Sequence, residues 1–291
     1  MLKVGKLLLS RKSSKSKSVS SMTDESGSFT SDEGSSFSDM TLRSEKSSTH
    51  LDKLIFDGRW EEAIAVLRAN GRHAMTFRKS HQFINTLDST ILLPIHLACA
   101  NSTVKLDFLE LLLFSNPASI HEKELSNGRL CLHIALKCNV PDHIILYLVE
   151  KYPGSLMTPD LIGRLPLHYA ISNHRSFALI SEFISRYPRT ILASDNDGWS
   201  PLHVAIELCA PINTIDLILS HSIEAITLTT MKGKTPLDLA MNSSNRNRES
   251  VIAILSRAEE LLCEYVVVAN FREAEKKEKN VYNMMTNAVF T

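Results

Sequence analysis

Four nine-residue phrases decide the fold: GRLCLHIAL at 128–136, GRLPLHYAI at 163–171, GWSPLHVAI at 198–206 and GKTPLDLAM at 233–241. Their glycines stand 35 residues apart, and an earlier copy without the glycine, LLPIHLACA, runs from Leu92 to Ala100. A fixed period between about 20 and 50 residues marks a chain built of stacked supersecondary units. Each phrase reads as a helix start. Gly128, Gly163, Gly198 and Gly233 suit a turn that needs positive φ, Ser200 or Thr235 suits the N-cap, and Pro201 or Pro236 the first helical position.

Working outward, a second apolar stretch follows in register: 106–114, 144–149, 177–184, 212–219 and 251–255. Its apolar residues recur at helical spacing, as in Ile144, Ile145, Leu148 and Val149, so each unit pairs two helices. Pro141 and Pro211, each 13 residues after a glycine, stand where the second helix starts. The breakers SNPAS (115–119), KYPGS (151–155) and RYPRT (186–190) end it, because proline cannot continue a helix. About ten residues then lead to the next glycine through turn chemistry such as Asp160 and Asp195-Asn196-Asp197-Gly198.

The PLHxA phrase after a turn glycine, in phase with paired helices over roughly residues 90–260, resembles the ankyrin-repeat family in a longer-period variant. A tetratricopeptide array has period 34, but its Trp, Leu-Gly and Tyr pattern is missing here. The resemblance implies an all-α solenoid of stacked helix-turn-helix units, about five repeats, whose concave face binds another protein. It also implies that His96, His133, His168 and His203, one per copy, hydrogen-bond turn backbone between neighbouring copies. A shared metal is excluded on distance: equivalent helical positions lie roughly 8–10 Å apart, against about 2.1 Å for a zinc ligand. Asp238 takes the histidine's place in the fifth copy.

Flanking the array, LDKLIFDGRWEEAIAVLRAN (51–70) holds two short helical patterns around Gly58, with Trp60, Ile64 and Leu67 on one face. Residues 50–89 read as a helical N-terminal cap or degenerate repeat, which a stack needs over its first apolar face. Residues 261–291 read as a C-terminal helix and tail, a closing helix that frays where the sequence turns charged (EAEKKEK). Residues 1–49 hold 16 serines and no Ile, Ala, Trp, Tyr or Cys, the composition of a disordered tail. Its charges are sorted, from Lys3, Lys6, Arg11, Lys12, Lys15 and Lys17 to the acids that begin at Asp24. That order fits three readings: a phosphorylated regulatory tail at Ser13, Ser14, Ser21, Ser31 or Ser38, a mitochondrial or plastid presequence, or a plain linker.

Function classes narrow quickly. Lys plus Arg and Asp plus Glu both total 32, so no bulk field favours nucleic acid, and no apolar run reaches the ~20 residues of a membrane span. Cys99, Cys131, Cys138, Cys209 and Cys263 form no CxxC pair, which argues against a disulfide scaffold or zinc ribbon and for small core residues in a reducing compartment. There is no nucleophile elbow, phosphate loop or HExxH phrase. The expectation is therefore a monomeric, cytoplasmic or nuclear, non-enzymatic scaffold or adaptor with no cofactor. An organelle-targeted scaffold and an enzyme with an unrecognised site are the alternatives.

Carried onto this sequence, the family's binding face places partner contacts at Ser126, Asn127 and Arg129; Leu161, Ile162 and Arg164; Asn196, Asp197 and Trp199; and Met231, Lys232 and Lys234. Lys137, Ser172, Asn173, Glu207 and Asn242 would form the floor. Leu161, Ile162 and Trp199, flanked by Arg129 and Arg164, are the expected centre of the patch, since Trp and Arg are enriched at interface hot spots. Packing of Leu161 and Ile162 beneath the longer loop is the alternative.

Overall fold

The structure, a computed structural model, describes residues 50–75, 78–80, 90–244 and 246–289, all within one compact unit, Arg43–Thr291. The readings for residues 1–49 lie outside the described residues. The chain opens with helix α1 (50–56) and α2 (Trp60–Ala69). Five first helices follow: α3 (Pro94–Cys99), α5 (Cys131–Lys137), α7 (Pro166–Ser172), α9 (Pro201–Glu207) and α11 (Pro236–Asn242). Each packs against the next. Their second helices are α4 (Leu106–Ser115), α6 (Asp142–Lys151), α8 (Phe177–Arg186), α10 (Ile212–His221) and α12 (Arg248–Val289).

The helix starts follow the sequence logic. Ser200 and Thr235 accept hydrogen bonds from the backbone N–H of residues 203 and 238, and Pro94, Pro166, Pro201 and Pro236 open their helices. The apolar stripe of α6 buries Ile144, Ile145, Leu148 and Val149, and α8 buries Leu179, Ile180, Phe183 and Ile184. Together with the first helices these residues form one continuous core.

The segments after the second helices, proline-bearing in the first three, do more than stop the helix. After an extended residue (Asn116, Tyr152, Tyr187 or Ser222) the chain re-enters a 3-10 turn, at Pro117–Ile120, Pro153–Met157, Pro188–Leu192 and Ile223–Thr227. Proline's fixed φ suits that restart, and Leu156, Ile191 and Ile226 add buried side chains there. This third piece absorbs the residues that lengthen the period.

The segment before the first phrase has the same form. α2 is ten residues long like α4, α6, α8 and α10, and a 3-10 turn follows it at Gly71–Met75. Trp60 packs its ring on Phe108, 5.2 Å between centroids, and its Nε1–H donates to Thr103 Oγ1 at 3.3 Å. Between this unit and the first phrase the chain also forms a short hairpin. Strands β1 (Arg78–Ser80) and β2 (Thr90–Leu92) pair antiparallel, Arg78 opposite Leu92. The other projecting turns close on a single strand-like bond, such as Asp160 N–H to Arg164 O; here the arms are longer and pair over three residues.

The expectation for the cysteines is corrected in part, and the closing helix α12 runs unbroken to Val289. It packs on α11, α10 and the 3-10 turn at Ile223–Thr227 through Val251, Leu255 and Ala258, and beyond these Leu261, Tyr265, Val266 and Val267 are exposed. The cysteines divide as well: Cys99 and Cys131 are core residues and Cys138 is half-buried, but Cys209 and Cys263 are exposed. Cys209 has φ 57° just past α9, the left-handed C′ position that turns a side chain away from the stack, and Cys263 lies on α12 past its last core contact.

Candidate functional site: the turns and first helices

The turns are organised by a buried acid. Asp160 Oδ1 accepts the N–H groups of Ile162 and Arg164, and Asp195 Oδ1 those of Asp197 and Trp199. Short carboxylate side chains capture the backbone two residues on in this way. Ahead of Gly128 the phase slips: Glu124, four residues before the glycine instead of three, binds the N–H groups of Ser126 and Asn127. Its longer side chain spans a turn with one extra residue, Leu125, which is 63% exposed.

Neighbouring turns are tied to one another. Leu161 N–H donates to Asn127 O, Asn196 N–H to Ile162 O and Met231 N–H to Asp197 O, each at 2.9 Å. This close approach explains the glycines. Gly198 has φ +80°, and a Cβ there would stand 2.7 Å from Met231 N; Gly233, in the last turn, has φ +68° and nothing within 4 Å.

The histidines lock turns to helices. Nδ1 of His96, His133, His168 and His203 accepts the backbone N–H of residues 93, 130, 165 and 200 at 3.1–3.2 Å. An accepting Nδ1 on a neutral ring leaves the proton on Nε2. That N–H donates to the next turn: His96 to Glu122 O at 3.0 Å, His168 to Trp199 O and His203 to Lys234 O at 3.1 Å. His133 Nε2 finds no acceptor among the described residues, and its ring meets Tyr169 edge-on at 5.2 Å. Burial pushes the pKa of His96 and His168 down to about 4 and that of His133 to about 3, and lowers that of His203. Asp238 keeps half of the arrangement, accepting Thr235 N–H at 2.9 Å, and that bond lowers its pKa.

The expected contact residues fall into two groups. Ser126, Leu161, Ile162, Asn196, Asp197, Met231, Lys232 and Lys234 are exposed along the turn tips, and Asn127 is half-buried among them. Leu161 and Ile162 therefore do not pack under the loop; Leu161 is 63% and Met231 77% exposed. Trp199 is half-buried instead, against the core and edge-on to the His203 ring, because its C=O and N–H are both held in the turn. Arg164 is likewise drawn in, its Nε donating to Asp195 Oδ2 of the next turn at 3.1 Å. On the floor, Lys137, Ser172 and Asn173 are half-buried and Glu207 and Asn242 exposed. Leu125 and Tyr169, whose OH donates to Asp160 Oδ2 at 2.7 Å, belong to this face and were missed from the sequence: the first needs the one-residue slip, the second the fold of its own turn back onto α7.

Among the described residues no group of three or more His, Cys, Asp or Glu is placed to hold a metal, and no helix is long and apolar enough to cross a membrane. No curated protein matches the chain. A family model, ankyrin repeats in three copies, matches residues 95–185. The helix pairs and turn glycines continue in the same geometry through α11, and the imidazoles through His203 on α9, beyond the matched residues. Over residues 95–185 the array is thus one of ankyrin repeats.

Proposed function

We propose that this protein is a non-enzymatic adaptor whose turn tips and first helices hold a partner protein, the use to which ankyrin repeats are generally put. The observation that carries the reading is the row of exposed apolar side chains, Leu125, Leu161, Ile162 and Met231, on turns bonded backbone to backbone. Apolar groups held in place lose little conformational freedom on binding, so more of their burial becomes affinity. Trp199 and Arg164 serve the stack, and substituting them would confuse folding with binding.

The test uses Leu161→Asp with Ile162→Asp in the full chain, and Met231→Asp separately. Proximity labelling in cells, quantified by mass spectrometry, compares each with the wild type. Loss of a discrete set of proteins, with unchanged thermal unfolding, is the expected result. An unchanged set with both variants folded would overturn the assignment of this face.

A further inference from the structure

α12 stands where each earlier repeat has its second helix, yet those helices are 10 residues long and α12 has 42. Its buried stripe is Val251, Leu255 and Ala258, continued by Leu262 against the core, at the spacing of one helix face. The next steps of that stripe, three and four residues on, are Tyr265 and Val266, and they are 70% and 47% exposed. Leu261 beside them is exposed as well. The apolar face thus runs on, in phase, past the last described side chain that packs on the array. About 40 Å of helix lies beyond Leu262. Tyr265-Val266-Val267-Val268 is a poor run for a bare helix, because β-branched residues lose χ1 freedom there. Helices in proteins draw most of their stability from a covered face.

The order of charge along α12 indicates what covers it. Residues 257–264 hold one Arg and three Glu, 265–271 hold no charge, and 272–279 hold one Arg and three Lys against three Glu. The apolar stretch therefore has an acidic flank on its N-terminal side and a mildly basic one on its C-terminal side. A second copy running parallel would set like flank on like. An antiparallel copy crossing at Val268 sets acidic on basic at both ends and closes as a two-fold dimer. It also brings Glu264 of each copy level with Arg272 of the other. Flanking charges choose partner and direction in paired helices in this way, and one chain supplies both halves of the match.

We propose that α12, past Leu262, is a dimerisation helix that pairs antiparallel with α12 of a second copy and joins two arrays through their last repeats. This interface is separate from the turn tips and stands whether or not they hold a partner. Pairing there leaves the contacts within each array intact, so it does not enter the folding of the repeats.

Sedimentation equilibrium of the full chain, over a range of protein concentrations at low salt, tests this. The expected result is a reversible monomer–dimer equilibrium. Tyr265→Asp with Val266→Asp should weaken dimerisation by about tenfold or more, since apolar area buried at the crossing is lost, with the thermal unfolding of the array unchanged. Glu264→Arg should weaken it severalfold, and adding Arg272→Glu should restore it, which a helix lost to misfolding would not do. Leu161→Asp with Ile162→Asp, on the turn tips, should leave the dimer as it is. A monomer at every concentration overturns the proposal, including one whose Tyr265 face is covered by residues 1–49 of its own chain. So does a dimer that survives Tyr265→Asp with Val266→Asp, one lost with the turn-tip variant, or a charge swap that restores nothing. Because the turn-tip variants are read by partner capture and these by mass, failure of either reading leaves the other standing.

Discussion

The imidazole of His168 closes two bonds between parts of the chain 34 residues apart, from Leu165 N–H and to Trp199 O. Removing it leaves a buried donor, a buried acceptor and a void. His168→Ala should therefore cost about 3 kcal/mol of unfolding free energy, read from urea denaturation, whereas a purely space-filling role would cost no more than the void. The two turn glycines make a sharper contrast. Gly198→Ala must bear positive φ and also displace Met231 N from 2.7 Å; Gly233→Ala bears positive φ alone, with open space around it. Gly233→Ala should cost about 1 kcal/mol and Gly198→Ala clearly more. Equal losses in thermal unfolding would show that the turns do not press on one another as the structure has them.

At the scale of elements, what the sequence disclosed and what it hid divide on whether the signal is periodic and local. The paired helices were legible because Gly, Pro and the apolar stripe recur in phase; their buried residues, such as Ile144, Ile145, Leu148 and Val149, fall where the spacing put them. The 3-10 turns were not, because Pro153 or Pro188 announces only that an α-helix ends, and tertiary burial of Leu156 or Ile191 decides what comes next. The site was legible in position but not in role. Arg129 and Arg164 look alike in sequence, yet the first pairs with Glu124 of its own turn and the second with Asp195 of the next. α12 was legible as a closing helix, and its charged part can stay helical because Lys and Glu are good helix formers. Its core contacts stop near Ala258 and Leu262, which makes a prediction at this scale. Ending the chain after Glu264 should leave the urea midpoint of the array unchanged, since the side chains described beyond it are exposed. Ending it after Asn242 strips Val251, Leu255 and Ala258 from α11 and should lower the melting temperature by several degrees.

Across the whole stack the neutral imidazoles act in concert, because His96, His168 and His203 each tie one repeat to the next and His133 is buried in the same row. In the unfolded chain a histidine titrates near 6.5, whereas in the stack His96 and His168 are held at about 4 and His133 at about 3. Between pH 6.5 and 4 the unfolded state binds the more protons, so stability falls as pH falls through that window and levels off only below the folded values. Each fully buried ring contributes on the order of 3 kcal/mol over that range, and three rings together match the net stability of an ordinary domain, about 5–15 kcal/mol. The array should therefore unfold on acidification near pH 5, with an uptake of about three protons at the transition, followed by far-UV circular dichroism and by the pH dependence of the urea midpoint. His96→Gln retains a donor toward Glu122 O without a titrating group, and should reduce that proton uptake by about one and move the transition to lower pH. A helical signal that stays flat from pH 7 to 3.5 would mean that the rings are not held neutral between repeats, and the account of how the repeats are joined would fail with it.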